Sequence, residues 1–419
     1  NGQSLGAGVI MDCSKFMTEI LEINTKDGYV RVQPGVILDD LNDHLKARGY
    51  FFAPHVSPSS RACIGGMIGT DACGEGSRLY GRTGDHLLEA RVVLSEGSLL
   101  SLTETDSSLL EDSSDSSSSI LSTIIDTVSS VLKTHSEAIQ KTYPDMTRYL
   151  TGYNLKKSLD AIDLNSESPL PLLPLIAGSE GTLGIISEAK LRVTPMPKVV
   201  MGMVLAYTSF QEALEEATNL SELTPTAIES LDDSLLALCR ENQLFSSVLA
   251  SCPELKSTEV QAISLLAFTG STQKGLKERM GQVKSRSQAL HVYTFEKFEK
   301  MQVFWELRKK AVGVLGNVKT DEVPLPFIED TAVPPEKMPA YIKELTALLS
   351  KEGVPFVCYG HADAGCVHVR PKLSLRDPRL HEQLRRITDQ VFLLVSSFGG
   401  VMWGEHGRGY RSNYGPKVF

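Results

Sequence analysis

No apolar run in this chain reaches the ~18 residues a membrane helix needs; the richest stretch, PLPLLPLIAG, is broken by proline. That predicts a water-soluble chain. Paired cysteines are missing too: the seven present are odd in number and widely spaced, with no C-x-x-C. This argues against a structural zinc or iron-sulfur site within the chain and for a reducing, cytoplasmic compartment. There is no long basic run, and the formal net charge is -9, which argues against a nucleic-acid surface. No repeat of fixed period occurs. The chain also lacks an initiator methionine, enters a glycine-containing loop within a few residues of Asn1, and stops at Phe419 soon after another such loop. Both ends read as cut, so an internal piece of a longer protein is expected.

What is present is an ordinary globular composition, 42% hydrophobic and 22% charged over 419 residues, long enough for two or more cores. PMPK at Pro195 to Lys198 reads as a boundary between domains at 1–198 and 199–419. In the first half, YVRVQPGV reads as a strand. ILDDLNDHLKARG is a helix with Ile37, Leu41 and Leu45 on one face, and EARVVLSEG is a strand. The serine-rich tract from Ser107 to Ser119 reads as a surface loop, followed by a helix from Ile120. GSEGTLGIISEAKLRV is a glycine turn feeding one or two strands. Beyond PMPK, strands and helices alternate. VVMGMVLAY, AISLLAFTG, LHVYTF and PFIEDTAVP read as strands, and SLLALCRENQL reads as a single helix. A long helix carries Trp305 and Arg308, and Arg308 taken alone belongs on an exposed surface. The order predicts a layered α+β domain with an antiparallel sheet.

The chain can be organised around GHADAGCVHVRP, Gly360 to Pro371. Its flanks are short, β-branched and aromatic, so it reads as two strands and a tight turn that bring His361 and His368 together. Alternation puts His368 and Arg370 on one side of a strand, a guanidinium beside a metal ligand and suited to a carboxylate. GEHGRG adds Glu405 and His406 between Gly404 and Gly407. Two imidazoles and a carboxylate form an open metal site of the kind zinc takes. Each residue alone reads better as a core histidine or a surface acid. Together, three of the nine histidines in two short glycine-flanked stretches favour the site.

SPSSRACIGGMIGTDACGEGSRLYGRTGDH, Ser57 to His86, is dense in glycine and lets backbone N–H groups approach a phosphate. Within it G-S-R-L-Y-G-R-T is one residue short of a Walker A loop and has Arg82 where that loop needs lysine, so nucleotide hydrolysis is rejected. A turn array and a cofactor cradle fit its composition equally.

These residues carry a resemblance over nearly the whole chain. VRVQPGV, SPSSRACIGGMIGTDACGEGS with Tyr80 and Gly81, and GSEGTLGIISEAKL resemble the FAD-binding domain of the PCMH-type, or vanillyl-alcohol oxidase, flavoproteins. FWELRKKA, EDTAVP, GHADAGCVHVRP and GEHG resemble the cap domain of FAD-linked D-2-hydroxyacid dehydrogenases. The whole is most similar to the bacterial D-2-hydroxyglutarate dehydrogenase branch, whose longer chain continues into an iron-sulfur region. The resemblance implies FAD held by Ser59, Ile64, Gly65, Gly66, Gly69, Thr70, Asp71, Gly74, Tyr80, Gly81, Gly181, Gly184 and Ile185. It implies a divalent metal, zinc first, on His361, His368 and Glu405, with His406 as catalytic base and Arg308 and Arg370 on the substrate carboxylates. Electrons would pass to an acceptor outside this chain, an iron-sulfur region, a quinone or an electron-transfer protein, which is also the only implied tie to a membrane. GHADAGCVH departs from the family's usual GHxGDGNxH inside the turn. Arg370 replaces an asparagine common in the animal enzymes, and Ile328 stands where those have a pocket lysine. Of the family's pyrophosphate loop only the tail, NGQS, is present, so weak FAD binding by this piece is expected. Two other readings are a non-redox metal-binding protein and, ranked low, a flavin reductase acting on a sugar nucleotide.

Overall fold

The computed structural model of the chain describes residues 9–103, 109–110, 115–149, 152–162, 170–240, 243–315 and 321–409. The NGQS tail therefore lies outside the described residues. The first half carries strands β1 (Ile20–Asn24), β2 (Tyr29–Val32), β3 (Tyr50–Phe51), β4 (Leu87–Val93), β5 (Leu99–Thr103), β6 (Leu109–Leu110), β7 (Ile185–Arg192) and β8 (Thr194–Pro195). The second carries β9 (Val199–Tyr207), β10 (Ala227–Leu231), β11 (Ala262–Gly270), β12 (His291–Phe295), β13 (Glu322–Pro324), β14 (Thr331–Ala332), β15 (Phe356–His361) and β16 (Cys366–Ser374).

The first half is a six-stranded sheet in the order β1-β2-β7-β4-β5-β6, antiparallel throughout. β7 comes late in sequence and slots between β2 and β4, so the GSEG turn that precedes it is carried back onto the glycine-rich stretch. The helix Leu38–Lys46 buries Leu38, Leu41 and Leu45, while Ile37 forms a bridge to Cys63 instead of joining that face. Of the serine-rich tract expected as a loop, Leu109–Leu110 form β6 and the last residues open a helix, Asp115–Thr134, while 107–108 and 111–114 lie outside the described residues. Serine is only modestly unfavourable in helices, and the apolar period from Ile120 supplies a helix that extends backwards.

The second half is an eight-stranded sheet, β12-β9-β11-β10-β15-β16-β13, with β14 on β16. All its pairings are antiparallel, the expected α+β architecture. Helices cover both faces. On β9, Met201, Met203 and Leu205 point into a core shared with the helices Phe210–Leu220, Gln273–Arg286, Met338–Lys351 and Leu380–Ser397. Val204 and Ala206 point into the opposite core, against Asp233–Arg240, Gln243–Ser251 and Phe298–Leu315. Burial on both sides is why VVMGMVLAY and AISLLAFTG read as unbroken apolar runs rather than alternating ones.

SLLALCRENQL falls in the helical spans Asp233–Arg240 and Gln243–Ser251, with residues 241–242 outside the described residues. One expectation is corrected here. PFIEDTAVP is mostly irregular: its flanking prolines lack an N–H, Asp330 sits at φ +82°, and only Thr331–Ala332 pairs. β10 was not anticipated at all. It places Glu229 opposite His361, at the end of the sheet face where the second core gives way to charged side chains.

Candidate active and metal site

The histidine hairpin forms as expected, with Tyr359 opposite His368 and His361 opposite Cys366. Ala362–Ala364 make a 3-10 turn, and Gly365 closes it at φ +69°. A Cβ there would lie 2.0 Å from the Val333 carbonyl oxygen, so glycine is required by both conformation and contact. The altered letters of this turn therefore still build a hairpin. Asp363 is enclosed within it, and burial pushes its carboxyl up to about 6. The His361 and His368 rings stand 5.4 Å apart edge to face, and His406 stacks on His368 at 5.0 Å.

GEHGRG is pinned by two carboxylates, one from each half. Asp330 accepts the amides of Glu405 (3.1 Å) and His406 (2.9 Å), and its own carbonyl accepts that of Gly404 (2.8 Å). Glu180 of the GSEG turn accepts the amides of Arg408 and Gly409 at 2.6 and 2.8 Å. So held, Glu405 turns Oε1 toward three imidazole Nε2 atoms, His361 at 3.4 Å and His368 and His406 at 3.2 Å. Its Oε2 takes a hydrogen bond from the buried Arg148. Burial works against ionisation, yet Arg148 and His361 hold the Glu405 carboxyl well below the usual carboxylate range.

This donor set fits a divalent ion. Tetrahedral ligands about 2.0–2.1 Å from zinc stand about 3.3 Å from one another, and the O···N separations here are 3.2–3.4 Å. The outer partners fit as well: Glu229 accepts from His361 Nδ1, the carboxylate–histidine pairing that orients metal-bound imidazoles. His368 Nδ1 is buried without a hydrogen-bond partner among the described residues, 3.7 Å from Glu329. Asp330, His368, Glu405 and His406 also offer ligand atoms within 4.8 Å of one another. Asp330 is already occupied by backbone amides, which suits a brace better than a ligand. His406 differs from the other two histidines in exposure, 34% against 5% for His361 and 3% for His368. Burial depresses its imidazole, but Asp330, Glu405 and Glu329 outweigh that and raise it to about 9. A bound cation would offset this excess of carboxylate.

Arg308 is not on the surface. It is buried on the helix Phe298–Leu315, where Nε donates to Glu229 at 2.8 Å and the guanidinium lies 5.0 Å from the Tyr359 ring. Its neighbour carboxylate is held down at about 2: burial opposes this, but His361 and Arg308 prevail. Arg370 lies beside His368 on the same strand face and donates to Glu329 Oε1 at 3.0 Å. Its Nε is 2.9 Å from Oε2 but not aligned for a hydrogen bond. Both arginines thus already have a carboxylate partner.

The thirteen residues tied to FAD divide by what a Cβ would meet. Gly65, Gly74, Gly81 and Gly184 would strike Pro34, His55, Asp85 and Val92 at 2.5–2.7 Å, so packing within the chain requires them. Gly66, and Gly181 at φ +79°, face open space, with no described atom within 4 Å, the room a close-lying cofactor needs. Gly69 accepts the Glu180 amide (2.8 Å), and Thr70 Oγ1 donates to Gly66 (3.0 Å). Asp71 pairs with Arg82 (3.1 Å) and accepts from Gly84 N (2.7 Å). Ser59 and Ile64 are buried, Ile185 is exposed, and Tyr80 OH reaches Thr269 of the second half at 3.4 Å. Gly181 follows Glu180 directly, and Gly66 lies on the short helix Ile64–Gly69 whose last residue accepts the Glu180 amide. Gly407, next to His406, packs on Thr70 and Glu180, so cradle and imidazole cluster adjoin. Glu229, Arg148 and Glu180 were missed from sequence; an acid inside the apolar strand AIESL and one between the glycines of GSEG were the available signals.

Residues 1–103 match the family "FAD binding domain" and residues 196–417 match "FAD linked oxidases, C-terminal domain". The chain is 38% identical to a D-2-hydroxyglutarate dehydrogenase of Pantoea ananatis over all of its length and 41% of that protein's. It is equally similar, at 38%, to the enzyme of that name from Escherichia coli, again over all of this chain and 42% of that one. It thus spans less than half the length of these relatives. A solved alkyldihydroxyacetonephosphate synthase superposes with a TM-score of 0.60 at 16% identity, covering 92% of this chain and 62% of that one, a likeness of fold alone. With its C-terminal model matched over more than half of the sequence, the chain belongs to the FAD-linked oxidases of the PCMH type.

Proposed function

We propose that the full-length protein oxidises a D-2-hydroxyacid, D-2-hydroxyglutarate foremost, to the 2-oxoacid. The observation that carries this reading is the gathering of three imidazoles on one oxygen of Glu405, on a loop that Glu180 and Thr70 of the glycine-rich half hold through Gly407, Arg408 and Gly409. When bound, FAD supplies the hydride acceptor and a divalent ion, zinc first, supplies the charge that acidifies the substrate hydroxyl. His361, His368 and Glu405 would hold that ion. His406, the most accessible of the three imidazoles, takes the hydroxyl proton. The substrate carbon gives up its hydrogen with the bonding pair, and the C–O bond becomes C=O. Arg308 and Arg370 bind substrate carboxylate in competition with Glu229 and Glu329. An acceptor outside this chain, an iron-sulfur region, a quinone or an electron-transfer protein, then takes the electrons.

The similarity to relatives named D-2-hydroxyglutarate dehydrogenase and the presence of two guanidiniums at the site both support a dicarboxylate. D-lactate is the second reading, favoured by the pairing of each arginine with its own carboxylate. Anaerobic flavin bleaching of the purified full-length protein by a panel of D-2-hydroxyacids separates these. The first reading expects yellow protein reduced fastest by D-2-hydroxyglutarate, and equal turnover of D-lactate supports the second. Colourless protein that binds metal supports a non-redox role instead.

A further inference from the structure

We propose that Arg148 is the positioning residue of the metal site, fixing Glu405 so that a single oxygen is presented to the imidazoles. The inference rests on the metal-site reading above. Arg148 belongs to the first half, between the helices Ser136–Thr142 and Leu155–Asp160, and only 1% of it is exposed. Its Nε donates to Ser77 Oγ at 2.8 Å, one terminal nitrogen donates to the Gly74 carbonyl, and the other donates to Glu405 Oε2. The acceptors thus engage all three nitrogens of the guanidinium fork. Two lie in the glycine-rich stretch, whereas the third is the acid at the centre of the site.

A carboxylate with both oxygens free can rotate or chelate through both. With Oε2 occupied, Glu405 has only Oε1 left, and that oxygen faces His361, His368 and His406. A lysine at 148 would carry charge to the same place with a single nitrogen, which cannot hold three acceptors in fixed directions. The geometry therefore assigns Arg148 more than a clamp between the two halves: it sets the orientation of a ligand, the task of outer partners whose loss typically weakens metal affinity about 10- to 100-fold.

The test is a zinc titration of the full-length flavoprotein against a competing chelating dye. Arg148→Lys is expected to weaken zinc binding by about 10- to 100-fold, with the flavin spectrum and a cooperative unfolding transition retained, the latter at lower temperature because the clamp is lost. Because the residue acts through Glu405, saturating zinc should restore most of the flavin-reduction rate. Ser77→Ala, which removes one anchor and leaves the guanidinium, is expected to weaken zinc binding several-fold. Folded Arg148→Lys protein that binds zinc as tightly as wild type overturns the inference. Should that variant not fold, unchanged affinity in Ser77→Ala overturns it equally. Wild-type protein that binds no zinc, or binds it undiminished after His368→Ala, removes the site reading itself and this inference with it, a result distinct from the other two.

Discussion

At the scale of single residues, the two arginines carry the most specific prediction. A monocarboxylate would meet the ion and at most one guanidinium, while a dicarboxylate can engage both, and hydrogen bonds to charged groups contribute about 1.5–3 kcal/mol each. Arg370 has to share itself with Glu329 and Arg308 with Glu229, so part of that gain is offset. We expect a preference for D-2-hydroxyglutarate over D-lactate of at least about tenfold in kcat/KM, or ~1.4 kcal/mol. Arg370→Ala should narrow it; a preference unchanged in that variant means Glu329 keeps the guanidinium and substrate never meets it. His406→Ala should slow flavin reduction about 10²- to 10⁴-fold in single-turnover kinetics, and a variant that keeps most of the rate removes His406 as the base. His361, His368, Glu405 and His406 were legible in the sequence because local spacing and glycine flanks mark them. Their partners were not. Glu229 lies 132 residues from His361, Arg148 lies 257 from Glu405 and Glu180 lies 228 from Arg408. Each looks alone like an ordinary charged side chain, and only the fold brings them into contact.

At the scale of elements, the turn of the histidine hairpin invites a matched experiment. Gly365 and Gly353 share φ +69°, but a Cβ at Gly365 would meet the Val333 carbonyl at 2.0 Å while Gly353 has no described atom within 4 Å. Gly353→Ala should cost about 1–2 kcal/mol from the left-handed backbone alone. Gly365→Ala should cost about 1–3 kcal/mol more for the forced contact. Denaturant unfolding of the two variants measures the difference, and equal midpoints would contradict the close approach. Helices were readable because their apolar period is strong, as in Leu38–Lys46, and long strands because they are unbroken apolar runs, as in Val199–Tyr207. The two misses have separate causes. β10 is short and carries a buried acid, while Pro324, Pro326, Pro334 and the left-handed Asp330 break up a stretch whose composition is otherwise that of a strand.

At the scale of the whole molecule, the site exists only because two sheets meet. The second half supplies the imidazoles and Glu405, and the first supplies the open glycines, Glu180 and Arg148. Sequence composition can locate two halves but cannot dock them. No helix among the described residues is long and apolar enough to cross a membrane. The central claim is that the imidazole–carboxylate cluster is a metal-dependent centre serving the adjoining flavin site. It is tested most directly by anaerobic flavin reduction of the full-length protein with D-2-hydroxyglutarate, measured before chelation, after chelation and after zinc is restored. The account predicts that chelation leaves the flavin bound and its spectrum intact, lowers the reduction rate by at least about 10²-fold, as loss of a catalytic group does, and that added zinc restores it. Undiminished bleaching by metal-free protein would contradict it.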